Sequence, residues 1–223
     1  MRGRKKINNF VAAQKESYPQ EKGKVRLFFE DEASFGRISE PKYCWCAKDV
    51  RPVIPKQRVR EYRNVFGAVE PETGDSFFLI EEKEKPPKGK PGRRKKYARK
   101  KPAKKKQKGT KSRQMNDFMQ RLVDKYPEDR IVLVCDNAWW HKSQYIKIPD
   151  RMTLVFIPPY TPEMNPIEQI WREIRTLLGN TFFRSIDELI IQLRTEIENL
   201  SPETIRSITQ RDWIMKSIKL KCN

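Results

Sequence analysis

Two aspartates and a glutamate stand where a folded chain could bring acidic side chains together. Asp31 follows the apolar run VRLFFE, Asp136 follows IVLVC, and Glu168 follows the Pro-rich stretch PPYTPEMNPI. Carboxylates at the ends of buried strands are costly unless they are paired or bound to a metal. Mg²⁺ prefers oxygen ligands and keeps positions open for water or phosphate. Three convergent acids would therefore suit metal-dependent cleavage of a phosphodiester.

Each acid also has a purely structural alternative. Asp31 lies in the acidic tripeptide EDE and could mark an exposed strand end, although it shares strand parity with the apolar residues Leu27 and Phe29. Asp136 could open an Asx turn as the chain leaves a strand. Glu168 could complete a helix cap or pair with Arg172 one turn later. Local pattern leaves these alternatives open.

The elements that must position the acids follow from hydrophobic spacing and turn signals. Apolar runs predict strands over 25–31, 42–47, 64–69, 76–80, 131–136 and 153–157. Amphipathic spacing predicts a helix over 113–125. Further helices are predicted after Asn165 as N-cap with Pro166 in the first turn, after a capping box of Ser185 and Glu188, and from Ser201 to about residue 218.

This order of elements predicts an α/β fold of the RNase H-like type. An antiparallel meander followed by alternating strands and helices implies a mixed sheet, three antiparallel strands and then parallel strands, flanked by helices. We expect a basic lead-in over 1–23, a catalytic domain over 24–180 with a disordered basic insert over 82–112, and C-terminal helices over 181–223 packed on the same domain.

The charge of the chain is concentrated in the insert. The formal net charge is +19, and 17 lysines and arginines face one acid between residues 83 and 113. Such density predicts nonspecific contact with DNA phosphates, and a solvated linker or a localisation-type basic run is the alternative. The lysines assigned to this contact are Lys95, Lys96, Lys100, Lys101, Lys104, Lys105 and Lys106.

Cysteines and tryptophans offer weaker signals. Cys44 and Cys46 form a C-x-C pair without the further ligands of a zinc site, so we predict that both are buried in the 42–47 strand. Trp139, Trp140 and Trp171 could stack on DNA bases, although core packing is the commoner role for such residues. No run of apolar residues is long enough for a membrane span or a signal peptide, which favours a cytoplasmic protein.

Three blocks of the sequence resemble those of mariner-superfamily transposases of the bacterial insertion-sequence branch. They are EDEASF, VCDNAWWHKS and FIPPYTPEMNPIEQIWREIR, which surround Asp31, Asp136 and Glu168. The resemblance implies that these acids are the catalytic metal ligands of the family and hold Mg²⁺ or Mn²⁺ as two ions. His141 matches a common family histidine beside the site, near DNA or the metals, and a packed polar residue is its alternative.

The resemblance also implies an activity and partners. We expect cleavage of DNA at element ends and strand transfer at TA targets by a homodimer, in a prokaryotic cytoplasm at the nucleoid. Relatives carry N-terminal helix-turn-helix domains, so we expect this chain to be a C-terminal part or a second frame that works with an upstream helix-turn-helix partner. The rival is a decayed transposase that only binds DNA. A host nuclease of the RNase H type fits the acids but not PPYTPEMNPIE.

Overall fold

A five-stranded mixed sheet forms the centre of the structure, a computed structural model that describes residues 23–39, 42–43, 45–51, 53, 56–82 and 110–219. The strands are β1 Val25–Ile38, β2 Arg58–Val69, β3 Ser76–Ile80, β4 Arg130–Cys135 and β5 Met152–Phe156. Their order across the sheet is β3-β2-β1-β4-β5. The first three pair antiparallel, and β4 and β5 run parallel to β1. The predicted mixed sheet is confirmed.

Helices cover both faces of this sheet. They are α1 Thr110–Lys125, α2 Ile167–Leu177, α3 Ile186–Glu198, α4 Pro202–Thr209 and α5 Asp212–Lys219. Short 3₁₀ turns lie at Trp139–Lys142 and Pro162–Met164. No helix among these residues is long and apolar enough to cross a bilayer.

Alternation along β1 divides the apolar side chains between two cores. Leu27 and Phe29 pack with α2, α3, α4 and α5 on one face, whereas Phe28 packs with α1 on the other. The two-residue period of a strand produces this division. Asp31 shares the face of Leu27 and Phe29, as the sequence predicts, and its neighbours Glu30 and Glu32 share the opposite parity.

The predicted strand over 42–47 is wrong. Residues 42–43 and 45–47 adopt no strand, and Trp45 and Cys46 are exposed. The antiparallel neighbour of β1 is β2, and not residues 42–47, because β1 continues to Ile38 and pairs there with Arg58. Burial of Cys46 in a strand is therefore also wrong, and Cys44 lies outside the described residues.

Several helix boundaries differ from the prediction in instructive ways. The Ser185 hydroxyl accepts a hydrogen bond from the Glu188 backbone N–H at 3.0 Å, which confirms that start. Helix α1 begins at Thr110, three residues before the predicted start. The single C-terminal helix is instead two, because Gln210 adopts an extended conformation between α4 and α5. The seven lysines assigned to DNA lie outside the described residues.

Candidate active site

The parallel pairing of β1 with β4 places the two aspartates side by side. Phe29 of β1 is paired with Val134 of β4, so two residues further along each strand set Asp31 beside Asp136. Strand β4 ends at Cys135, whereas β1 continues to Ile38. Asp31 is therefore in the middle of its strand and not at its end, which corrects the sequence prediction. Asp31 lies at the level in the sheet where the parallel neighbour β4 ends.

Glu168 is brought to these aspartates by a buried asparagine. The Asn165 side-chain amide donates a hydrogen bond to the backbone oxygen of Glu30 at 2.8 Å, and Asn165 is only 3% exposed. This bond ties the entry of α2 to β1 and leaves Glu168 in the first turn of the helix. Asn165 is thus not the N-cap of α2, since Pro166 occupies that position without any side-chain capping bond.

All three acids line one cleft. Its volume is about 390 Å³, and the loop 157–162 forms much of the remaining wall. A separate cavity of about 250 Å³ contains Arg37 and Arg175 and no carboxylate. The convergence of Asp31, Asp136 and Glu168 from three elements makes the first cleft the candidate site.

The electrostatics of Asp31 fit a cation site. Burial raises the pKa of Asp31 to about 7, and the negative charge of Glu168 contributes to that rise. Like charges held together in a partly buried cleft oppose ionisation of each other. A divalent cation would relieve that repulsion, and carboxylate oxygens are the ligands that Mg²⁺ and Mn²⁺ prefer. The donor set therefore suits the metals that the sequence predicts.

Trp171 orients the Asp31 carboxylate by a hydrogen bond from the core. Its indole N–H donates to Asp31 Oδ2 at 3.0 Å, and its ring is fully buried against Phe35 and Phe78. Gly67 lies opposite Asp31 on β2, where an added Cβ would sit 2.5 Å from the indole ring. The missing side chain of Gly67 makes room for Trp171. The sequence analysis did not predict this hydrogen bond, since it assigned Trp171 only to core packing or base stacking.

Replacing Trp171 by Phe removes the hydrogen bond to Asp31. It also removes the outer ring beside Gly67 and keeps aromatic contact with Phe35 and Phe78, so we expect a loss of about 3 kcal/mol in the free energy of unfolding from the lost bond and the cavity together. That bond lowers the pKa of Asp31, so its removal raises the pKa further. Under the cation-dependent DNA cleavage proposed below, in which ionised Asp31 is a ligand, nicking near neutral pH should fall and the acid limb of its pH profile should move to higher pH.

Urea denaturation and nicking rates across a pH series measure both effects. Trp213→Phe is the matched control, because Trp213 packs edge-on against Phe29 in the same core and does not line the cleft. An unchanged pH profile in Trp171→Phe would show that the indole does not tune Asp31.

Asp136 is oriented by two contacts on one oxygen. His141 Nδ1 lies 3.0 Å from Asp136 Oδ1, and the Ala138 backbone N–H donates to the same atom at 3.0 Å. The bond from the Ala138 N–H is the Asx turn that the sequence offered as a purely structural role for Asp136. Asp136 therefore forms this turn and also lines the cleft. The hydrogen bond from His141 is the main cause that lowers the pKa of Asp136. The His141 ring is buried behind the carboxylate, a placement that does not favour its direct contact with DNA.

Exposed aromatic side chains flank the cleft. Trp139 is 84% exposed, so core packing is wrong for this residue, and the side chain of Trp140 lies outside the described part of the chain. Tyr160 in the cleft wall is 99% exposed and has φ of +58°. That left-handed conformation is uncommon for a residue with a large side chain and is typical of functional loops.

Comparison with known proteins agrees with this geometry. Residues 95–190 match the DDE superfamily endonuclease family. This part of the chain is similar to the DDE superfamily endonucleases. A segment of 89 residues is 37% identical to an uncharacterized protein, y4pE/y4sA, of Sinorhizobium fredii (strain NBRC 101917 / NGR234), and covers 39% of this chain and 66% of that protein.

Solved structures of Mos1 mariner transposase share the fold of this chain. The catalytic domain of Mos1 superposes with a TM-score of 0.55 at 13% identity, covering 97% of this chain and 92% of that one. The Mos1 paired-end complex with the left transposon end gives a TM-score of 0.59 at 12% identity, covering 97% of this chain and 61% of that one. The predicted RNase H-like fold is confirmed, and the likeness to mariner transposases holds at the level of the fold.

Two of the three acids lie in the segment that is similar to the endonuclease family, and the sheet brings the third beside them. Asp136 and Glu168 lie within the matched residues, whereas Asp31 lies before them. Pairing of β1 with β4 brings Asp31 to the same cleft.

Proposed function

We propose that this chain is the catalytic domain of a DDE transposase that cleaves DNA and joins strands with divalent cations. The observation that carries the proposal is the meeting of three carboxylates, from the middle of β1, the end of β4 and the first turn of α2, in one open cleft. The match of residues 95–190 to an endonuclease family supports the same chemistry.

Asp31, Asp136 and Glu168 are the proposed ligands of Mg²⁺ or Mn²⁺, as two ions. Mos1 complexes with Mn and with Mg are among the structures of the same fold. Bound in pairs, such ions activate an attacking hydroxyl and stabilise the leaving oxygen of the phosphodiester.

Neighbouring side chains and backbone groups fix the positions of the three proposed ligands. The Trp171 indole orients Asp31, and His141 with the Ala138 N–H orients Asp136. Asn165 anchors the loop that carries Glu168. Because these partners are buried or belong to the backbone, the carboxylates are positioned before substrate arrives, which lowers the reorganisation needed for catalysis.

DNA is the proposed substrate, with element ends and TA target sites as its parts. The basic residues of 83–113 supply phosphate contacts, and exposed Trp139 and Tyr160 supply aromatic surfaces beside the cleft. The structures of the same fold include a Mos1 paired-end complex with the left transposon end and a Mos1 strand transfer complex. The chain spans 66% of the S. fredii protein and 61% of the Mos1 chain. A homodimer at the prokaryotic nucleoid and a helix-turn-helix partner that reads the ends complete the proposal.

Incubation with supercoiled plasmid tests the cleavage step. Wild-type protein should nick the plasmid with Mg²⁺ or Mn²⁺ and not with EDTA, and Asp136→Asn should lose nicking while it keeps DNA binding. Equal nicking by this variant would place the chemistry elsewhere. Binding without metal-dependent nicking by the wild type would favour the rival function, a DNA-binding protein derived from a transposase.

A further inference from the structure

A second cluster of metal-binding side chains lies on the opposite face of β1 from Asp31. Glu30 and Glu32 point away from the cleft, since side chains alternate along a strand. His141 comes from the 3₁₀ turn after β4. One ligand atom from each of these residues lies within 4.8 Å of the other two. None of the three lines the cleft that holds the other acids.

The burial of the Glu30 carboxylate indicates that this cluster binds a cation. Glu30 is fully buried, and no N–H or O–H group among the described residues donates to its carboxylate oxygens, although the weakly hydrogen-bonding Cys135 thiol lies beside them. Oε1 of Glu32 is likewise buried without such a partner, whereas Oε2 lies 3.4 Å from the exposed Lys111 ammonium. Buried carboxylates are ordinarily hydrogen-bonded, paired or bound to a metal. An ion between Glu30 and Glu32 would bind both Glu30 oxygens or Glu32 Oε1, to which no N–H or O–H group of the described residues donates.

The contacts of His141 fit the same conclusion. Its Nδ1 faces the Asp136 carboxylate at 3.0 Å, so Nε2 is the nitrogen assigned as ligand. A carboxylate that holds one ring nitrogen while the other binds metal is a common support of histidine ligands. Imidazole among the donors favours Zn²⁺ or Mn²⁺ over Mg²⁺, whose ligands are oxygens.

We propose that Glu30, Glu32 and His141 form a second divalent-metal site that takes a transition-metal ion such as Zn²⁺. The site is structural: it joins β1 to the turn after β4 and, through His141, holds Asp136 in place. It does not depend on the proposed transposase activity, because none of its ligands belongs to the carboxylate triad.

His141 is the only histidine of the chain, so its imidazole reports on the site without assignment. The full chain with Asp31→Asn and Glu168→Gln removes two acids of the cleft and leaves the second site intact. In this background, titration with Zn²⁺ is followed by the ¹⁵N chemical shifts of the imidazole. We expect a large shift of Nε2 that saturates at one equivalent of Zn²⁺.

Glu30→Gln and Glu32→Gln should each weaken Zn²⁺ binding by roughly tenfold or more, the scale for removal of a metal-site group. Glu173→Gln, an acid of α2 outside both sites, should bind as its parent. An imidazole unmoved by excess Zn²⁺ would overturn the proposal, as would a shift of Nδ1 in place of Nε2, which would put the ion beside Asp136. Circular dichroism checks the fold of each variant, and the ring shift of the Asp31→Asn, Glu168→Gln parent decides the question even if Glu30→Gln does not fold.

Discussion

Asp31→Asn should lower metal-dependent nicking roughly a thousandfold, the scale of removing one group from a preorganised electrostatic site. The carboxamide oxygen can still accept the Trp171 N–H, which Asp31 Oδ2 accepts at 3.0 Å, so the core below it stays intact. Removing the charge also removes the repulsion with Glu168 that raises the pKa of Asp31. We therefore expect a folded and stable protein that binds the cation poorly and hardly cuts.

Single-turnover nicking over a range of Mn²⁺ concentrations measures this effect, and urea denaturation measures stability alongside it. Glu173→Gln is the matched control, since Glu173 is an acid of α2 that does not line the cleft. Glu168→Gln, from the first turn of the same helix, should lose activity as Asp31→Asn does. Full activity in Asp31→Asn would refute the triad as the cation site.

Replacing the lysines of the basic segment should produce the largest change in DNA binding. The variant changes Lys95, Lys96, Lys100, Lys101, Lys104, Lys105 and Lys106 to Gln and keeps the chain length. Removing one lysine–phosphate interaction lowers the salt dependence of log K by roughly 0.9, so the slope should fall by as much as about 6. Affinity at low salt should then drop by several orders of magnitude.

A shuffled version of residues 95–106 is the matched control, because it keeps charge and composition and changes only the order. Nonspecific phosphate contact predicts wild-type affinity and salt slope for the shuffled chain. Fluorescence anisotropy with a random duplex at several salt concentrations distinguishes the variants. Unchanged binding in the lysine-to-glutamine variant would remove the segment from the DNA surface.

Much of the scaffold could be predicted because its signals are local. Apolar runs before Asp31 and Asp136 mark the central parallel strands, which form over 25–38 and 130–135. The Ser185 cap could be predicted from the sequence because the hydrogen bond joins residues only three positions apart. The predicted strand over 42–47 fails for the opposite reason. Its apolar and aromatic residues match a strand pattern, but the long-range pairing of β1 with β2 decides which segment joins the sheet.

By itself, the sequence determined the mixed sheet and the Pro-rich approach to Glu168, since both rest on residue type and near spacing. It also named the three acids as candidates, where local spacing left alternatives open and the resemblance of the blocks around them favoured a site. Tertiary structure alone decided how the acids are held. The Asn165 bond to Glu30 spans 135 residues, and the Trp171 bond to Asp31 spans 140. Gly67 makes room for that indole from another strand. Contacts between residues so far apart leave no periodic trace in the chain, so only the folded molecule reveals them.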